Sequence, residues 1–324
     1  MKAAYIKETG SPKNIIIGDL PEPEIDDDEV LVKVTAVSVN HVDTFVRAGS
    51  YKTDLSFPFV IGRDAVGQVV KVGEQAAARF GVGSWVWTNS MGYDGRQGTT
   101  SRYIAVPAER LFHIPESVDP IKLVASVHSS TTAAILLKTV FRAKSGQTIL
   151  VEGAAGHVGT KLVQIAHRMG LEVVTTSNKR DFDKLDQLGS DCPLDYQKSL
   201  IKQLAKRGLD GVDYVVDTSG KVALQENINV LNERGTVGLI TAPADNKFTF
   251  NVRKFYTTDK TIRGFVLSHA LIDQFTESAK LLNELMVDGF LLDDAIIKKP
   301  VDDAAWAHQA LEKQTVKERI VLTF

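Results

Sequence analysis

The chain has 324 residues, 44% of them hydrophobic and 24% charged. That is the profile of a folded globular protein, and at roughly 150 residues per domain the length suggests two domains. Lys and Arg total 38 against 40 Asp and Glu, a formal net charge of -2, which argues against bulk affinity for nucleic acid or an anionic membrane. One cysteine, Cys192, excludes an intramolecular disulfide and a thiolate zinc cluster, and fits a reducing, cytoplasmic compartment.

The opening residues 1–8 hold no apolar core of signal-peptide length, and no apolar run approaches the ~20 residues of a membrane span. The first third then reads as β-rich. Asp26, Asp27, Asp28 and Glu29 read as a solvated turn rather than a cation site. Residues 30–39 are a dense run of β-branched residues with partial alternation, hence a strand. Further strand-like runs fall at 65–72, 84–88 and 102–106, separated by glycines, and suggest a barrel-like β domain.

Near residue 120 the pattern changes. Residues 123–140 carry apolar side chains at helical spacing, without proline or glycine. From 148 onward strand and helix alternate. Strands are expected at 148–151, 171–176, 212–216 and 236–240. A helix over 158–169 carries Val158, Leu162, Val163, Ala166 and Met169 on one stripe and closes at Gly170. Such alternation implies a parallel sheet with helices on both faces. Helices over 270–288 and 304–314 and a strand at 319–324 end the chain and are expected to return to the first domain. The fold class is therefore α/β. A doubly wound domain, residues 124–262, is inserted in a barrel-like, β-rich domain made of residues 1–123 and 263–324.

Gly153-Ala154-Ala155-Gly156-His157-Val158-Gly159 follows a strand and opens a helix, the context that gives a glycine pattern meaning as a dinucleotide fingerprint. One glycine turns the chain sharply, one lets backbone approach a pyrophosphate, and one lets helix and sheet pack closely. The helix N-terminus adds N–H groups and the positive end of a dipole. The spacing is GxxGxxG rather than GxGxxG, and the alternative is a packing turn in another kind of α/β protein. NAD-binding domains place an acid at the end of the second strand to hold the ribose hydroxyls. Here that strand runs into Ser177, Asn178, Lys179 and Arg180, with Asp181 only later. A hydroxyl donor and two cations favour a 2′-phosphate, hence NADPH, unless Lys179 and Arg180 are merely solvated loop charges.

These residues bring a family into view. The chain resembles the zinc-free quinone oxidoreductases of the medium-chain dehydrogenase/reductase superfamily, a group that includes zeta-crystallin. The resemblance runs over essentially the whole chain. It rests on Met1-Lys2-Ala3, on Glu29 to Val34, and on Asn40-His41-Val42-Asp43-Thr44-Phe45-Val46-Arg47-Ala48-Gly49. It continues through Phe57 to Gly67, Thr132-Ala133 and the Ala154 to Gly159 turn. It implies a GroES-like catalytic domain around a Rossmann domain, with the nicotinamide in the cleft between them. Metal-dependent relatives place a cysteine where Asn40 stands and a His-Glu pair where Arg63 and Asp64 stand; the region 92–98 lacks the four cysteines of their structural zinc lobe. Cationic Arg63 cannot ligate zinc, so no metal is expected.

Without a metal, an acceptor carbonyl must be polarised by hydrogen-bond donors. Asn40 can donate through its amide, and Tyr51 matches a tyrosine that the family holds over the nicotinamide. An extended acceptor, a quinone or an α,β-unsaturated carbonyl, spreads the incoming charge and suits such a site. Phe45 is expected to shape the cleft, and His41, which replaces the family's proline, either approaches substrate or is structural. Asp43 and Arg47 are read as a structural i,i+4 pair. The resemblance places Thr132, or Thr131 in an alternative register, near the cofactor, with Gly153, Ala155, Gly156, His157, Val158 and Gly159. It also brings Tyr196 and Arg319 to the adenosine phosphate, while Ser219 lines the cofactor edge. His128, His157 and Cys192 read as core or loop residues. A homodimer is expected by resemblance alone. The alternatives are an NADPH-binding sensor or structural protein with little turnover, and a zinc-dependent alcohol dehydrogenase.

Overall fold

A strand of eleven residues, almost all β-branched or small on its buried side, organises the first half of the molecule. In the computed structural model, which describes residues 1–292 and 295–324, it is the third strand. The elements before the chain switches architecture are β1 (Lys2–Ile6), β2 (Ile16–Asp19), β3 (Glu29–Val39), α1 (His41–Ala48), β4 (Phe59–Val60), β5 (Asp64–Val72), β6 (Trp85–Thr88), β7 (Tyr103–Pro107) and β8 (Leu111–His113). Then come α2 (Pro120–Ile135), β9 (Thr148–Glu152), α3 (His157–Arg168), β10 (Glu172–Ser177), α4 (Phe182–Gln187), β11 (Cys192–Asp195), α5 (Leu200–Lys206), β12 (Val212–Asp217), α6 (Leu224–Val230), β13 (Leu231–Leu239), α7 (Val252–Tyr256) and β14 (Thr261–Gly264). The chain closes with α8 (Ile272–Val287), β15 (Ile296–Pro300), α9 (Ala304–Glu312) and β16 (Arg319–Thr323).

The chain divides into two units, Met1–His128 with Leu271–Phe324, and Ser129–Ala270. Both boundaries fall later than the expected 123/124 and 262/263. The second does so because β14 runs to Gly264 and completes the parallel sheet of the inserted unit.

In the discontinuous unit, β3 pairs antiparallel with β5 along its length, with β7 at its start and with β16 at its end. One strand that bonds three others curls the sheet toward a barrel. The full order is β15-β16-β3-β5-β6-β8, and a second sheet runs β2-β1-β4. The C-terminal strand thus returns to the first domain as expected. Val30, Val32, Val34 and Val37 bury with Ile61, Ile104 and Leu322 in its core.

In the inserted unit six strands lie in the order β11-β10-β9-β12-β13-β14, all parallel. The chain leaves β9 toward β10 and β11, then comes back to place β12 on the other side of β9. The switch point lies between β9 and β12, and ligands of such sheets bind at the carboxyl ends of the strands there. Leu150, Val174, Val215 and Val237 fill one core of this unit.

One expectation needs correction. The helical stretch Pro120–Val140 is long and apolar enough, by length and composition, to cross a membrane. Its mean hydropathy reaches 1.2, and 83% of that window is buried inside the protein, as in a core helix. The consecutive Ser129-Ser130-Thr131-Thr132, with Ser126 and Lys138, interrupt the apolar residues and hide this property from a scan for unbroken apolar runs.

Candidate functional site

In the inserted unit the glycine turn connects the end of β9 to α3. Gly153 has φ +67°, the left-handed region that favours glycine, and a Cβ there would stand 2.8 Å from Thr218 Oγ1. A Cβ on Gly159 would stand 2.7 Å from the Ala154 Cα, so this glycine lets the first turn of α3 press against the loop. Gly156 caps α3 in extended conformation and is exposed. Its backbone is thus open to an approaching ligand at the positive end of the helix dipole. The Ala154 N–H donates to Thr176 O at 3.1 Å and anchors the turn to β10. Ala155, His157 and Val158 are half-buried along the same turn. Thr132 lies in α2 within this unit and is buried, as is Thr131.

At the ends of β10 and β11, Tyr196 donates its N–H to Ser177 O at 3.2 Å, so these two residues adjoin. Lys179 Nζ and Lys198 Nζ each stand 3.9 Å from Asp195 Oδ2. Arg180 is exposed, with its Nε 3.7 Å from Asp181 Oδ2. The exposed ring of Tyr196 completes a cationic corner. Ser177 Oγ, expected as a donor to phosphate, instead donates to Asn178 O at 3.1 Å. Lys198 was missed because it follows a strand of four residues that the sequence pattern does not disclose.

Beside the turn, across the switch point, Asp217 Oδ1 accepts from the Ser219 N–H at 2.8 Å and the Ser219 hydroxyl at 2.6 Å. Thr218 Oγ1 donates to Glu152 O at 2.8 Å. Glu152 itself is buried at the end of β9, and its Oε2 has no hydrogen-bond partner among the described residues. Burial first, then the charge of Asp217, push its pKa up to about 8, against the opposing hydrogen bond from Asn227.

In the discontinuous unit Asn40 caps α1. Its Nδ2 donates to Asp64 Oδ2 at 2.8 Å and to Ser38 Oγ at 3.1 Å. The amide expected to polarise an acceptor is therefore committed to the protein. Asp64 is fully buried; it also accepts from Ser38 Oγ at 3.1 Å and from the Ser90 N–H at 3.3 Å, while His128 Nδ1 stands 3.4 Å from Oδ2. Burial works against its charge. His128, the Ser90 N–H and Arg63 outweigh burial, and the pKa of Asp64 is lowered. Arg63 Nη2 donates to Ser90 Oγ at 2.6 Å, and its guanidinium lies 5.6 Å from the centre of the Tyr93 ring.

The expected Asp43–Arg47 pair is absent. Arg47 turns instead to the Gly10 carbonyl and to Glu312. The Asp43 carboxylate folds back onto the Asn40 N–H at 2.6 Å. Its pKa is raised to about 7, by burial first and then by Asp64.

His41 and Phe45, one turn apart, form the exposed face of α1, opposite buried Asp43, Val46 and Arg47. Partial burial of the His41 ring, then Arg319 and His128, lower its pKa. Arg319 precedes Ile320, which pairs with Val39, so it belongs to this cluster in the barrel unit. Tyr51 is half-buried, packs edge-on against Tyr93 at 5.9 Å, and its hydroxyl makes no hydrogen bond among the described residues. Among the described residues no three His, Cys, Asp or Glu side chains group as a metal-ligand set. The sequence reads His128 as a core or loop residue and Asp64 as standing at a replaced metal position; their approach to 3.4 Å is not legible there, because a lone histidine on an apolar helix gives no signal of a neighbour 64 positions away.

Two family models match the chain. An alcohol dehydrogenase GroES-like domain covers residues 26–116, and a zinc-binding dehydrogenase domain covers residues 158–284. Quinone oxidoreductase of Lama guanicoe is 28% identical over 315 residues, 96% of this chain and 93% of that protein. A mycobacterial quinone oxidoreductase of known structure is 30% identical, with a TM-score of 0.85 and full coverage of both chains. A mycobacterial structure in complex with NADPH is 29% identical, with a TM-score of 0.83 over the whole of both chains.

Proposed function

The chain belongs to the zeta-crystallin-like quinone oxidoreductases of the medium-chain dehydrogenase/reductase superfamily, and from that premise we propose that it transfers hydride from NADPH to a quinone or an α,β-unsaturated carbonyl without a catalytic metal. The observation that carries this reading is the Gly153–Gly159 turn at the switch point of the parallel sheet, with the cationic corner of Lys179, Lys198 and Tyr196 at the ends of the next two strands.

The donor set fits the cofactor. Gly153 and Gly159 let the chain turn and pack closely, and exposed Gly156 leaves the backbone open at the helix N-terminus, where a pyrophosphate would sit. Lys179 and Lys198 face one carboxylate, Asp195, with two positive charges and keep an excess for a 2′-phosphate. NADPH, when bound, supplies the hydride. The NADPH-complexed mycobacterial relative supports the same choice.

The chain's own residues position the acceptor and manage its charge. The Tyr51 hydroxyl is the donor left for the acceptor oxygen, since both Asn40 amide hydrogens serve Asp64 and Ser38. His41 and Phe45 offer a mixed polar and aromatic face of α1 to the acceptor. Zinc independence is supported by the network itself. Asn40 Nδ2 and Ser38 Oγ donate to Asp64, Arg63 donates to Ser90, and the Arg63 guanidinium carries a charge that repels a cation. A cytoplasmic homodimer acting on a small molecule is part of the same proposal.

The test is binding and turnover of both nicotinamide cofactors with a panel of quinones and enones. NADPH should bind and turn over well ahead of NADH. A preference for NADH would overturn the cofactor assignment, and tight NADPH binding with no turnover on any acceptor would make the protein a sensor.

A further inference from the structure

NADPH brings a pyrophosphate anion to the Gly153–Gly159 turn, and the residue in front of that turn is itself an acid. We propose that Glu152 is a proton-binding site coupled to the cofactor, so that NADPH and one proton are linked ligands of the inserted unit. This rests on the NADPH reading above.

Two carboxyls stand side by side at the switch point. Glu152 ends β9, Asp217 ends β12, and the two are paired in register on neighbouring parallel strands. The chain treats them differently. Asp217 Oδ1 accepts from the Ser219 N–H at 2.8 Å, the Ser219 hydroxyl at 2.6 Å and the Gly220 N–H at 3.2 Å, and its Oδ2 accepts from the Val222 N–H at 3.2 Å. Glu152 is only 2% exposed, and its Oε2 has no hydrogen-bond partner among the described residues. Several donors stabilise a carboxylate, whereas a buried charged oxygen without a donor is costly. The pair therefore keeps its negative charge on Asp217 and its proton on Glu152.

The groups that face Glu152 act in the same direction. Strand β12 brings Asp217, and α6 brings Glu226 and the neutral Asn227, so both charged neighbours are acids. Strand β10 contributes Thr176, in register with Glu152. Burial first, then Asp217, raise the Glu152 pKa to about 8 in the protein without cofactor.

The coupling follows from position. Glu152 directly precedes Gly153, and Thr218 Oγ1 donates to both their carbonyls, at 2.8 and 3.0 Å. A pyrophosphate on the turn adds negative charge beside a buried carboxyl that already has acidic neighbours, and so raises its pKa further. Below both pKa values Glu152 holds its proton with or without NADPH, and binding does not depend on its titration. Between them, binding draws one proton from solvent onto the Glu152 carboxyl. Affinity for NADPH therefore falls as pH rises above about 8, by at most about tenfold per pH unit.

The test uses the full-length wild type and Glu152→Gln, which keeps the shape of the side chain and cannot ionise. Calorimetric titration with NADPH in two buffers of different ionisation heat reads the protons taken up. Wild type should take up almost none near pH 7 and approach one per NADPH between about pH 8 and 9, and this reading does not depend on a variant folding. Across about pH 7 to 9.5 its affinity should fall roughly tenfold, while that of Glu152→Gln stays within about twofold. Wild type that binds NADPH without taking up a proton anywhere in that range would overturn the linkage, as would an equal fall in affinity in Glu152→Gln. Wild type that binds no NADPH at any pH sinks the cofactor reading and the linkage with it. Tight binding without proton uptake sinks the linkage alone.

Discussion

Gly159 lies so close to Ala154 that a single added carbon would stand 2.7 Å from the Ala154 Cα and its carbonyl oxygen. The neighbour is backbone and cannot rotate away. Gly159→Ala must therefore lift α3 off the turn. Gly153→Ala faces a different penalty, a left-handed residue that costs about 1–2 kcal/mol besides the contact with Thr218. Both variants should lower Tm and weaken NADPH binding at least tenfold, read by thermal melts and cofactor titration. Wild-type NADPH affinity in Gly159→Ala would show that the turn does not carry the cofactor.

Lys179 and Lys198 share Asp195, and the account gives them the 2′-phosphate. Hydrogen bonds to a charged group are worth about 1.5–3 kcal/mol. Lys179→Ala and Lys198→Ala should each raise the KM for NADPH by roughly 10- to 100-fold and leave that for NADH within about twofold. Equal losses with both cofactors would refute the assignment.

Tyr51 offers its hydroxyl with no hydrogen-bond partner among the described residues. Tyr51→Phe keeps the ring that packs on Tyr93 and removes only the donor. We expect kcat to fall about 100-fold with NADPH affinity unchanged. A kcat within twofold of wild type would move acceptor polarisation to another group.

Two buried groups set opposite pH limits on stability. Glu152 has its pKa raised from 4.5 to about 8, so the folded state holds a proton that the unfolded state gives up. Its contribution is present below pH 4.5 and is lost as pH rises toward 8, at up to about 1.4 kcal/mol per pH unit. His308, wholly buried beside Arg47, has its pKa lowered from 6.5 to about 3. Its contribution is present above pH 6.5 and is lost as pH falls toward 3. Denaturant melts should show that Glu152→Gln flattens the alkaline decline and that a neutral isostere, His308→Asn, flattens the acid one. Asp43, raised to about 7, adds to the alkaline decline. An alkaline decline unchanged in both Glu152→Gln and Asp43→Asn would contradict this assignment.

The parts of the fold that were legible in the sequence are those governed by neighbours along the chain. Residues 148–176 show strand, glycine turn, helix and strand in order, because each signal is local, and β9, α3 and β10 formed there. Strand β11 was not seen: it has four residues and contains Pro193. Strand β15 carries Lys298 and Lys299 and lacks an apolar alternation. The site was half legible for the same reason. Spacing suggested Asp43–Arg47, but the partners of Arg47 are Gly10 and Glu312, and the chain brings Glu312 from 265 positions away. Asn40 is legible as a site residue, while the commitment of its amide to Asp64, 24 positions away, depends on a contact that no local pattern encodes.

The central claim is hydride transfer from NADPH to a conjugated acceptor without a metal. The most direct measurement is NADPH oxidation followed at 340 nm with a quinone, an enone and an aldehyde, each with and without a chelator. The account predicts turnover of the quinone or the enone, little with the aldehyde, and rates that the chelator does not change. Turnover confined to the aldehyde, or abolished by the chelator, would contradict it.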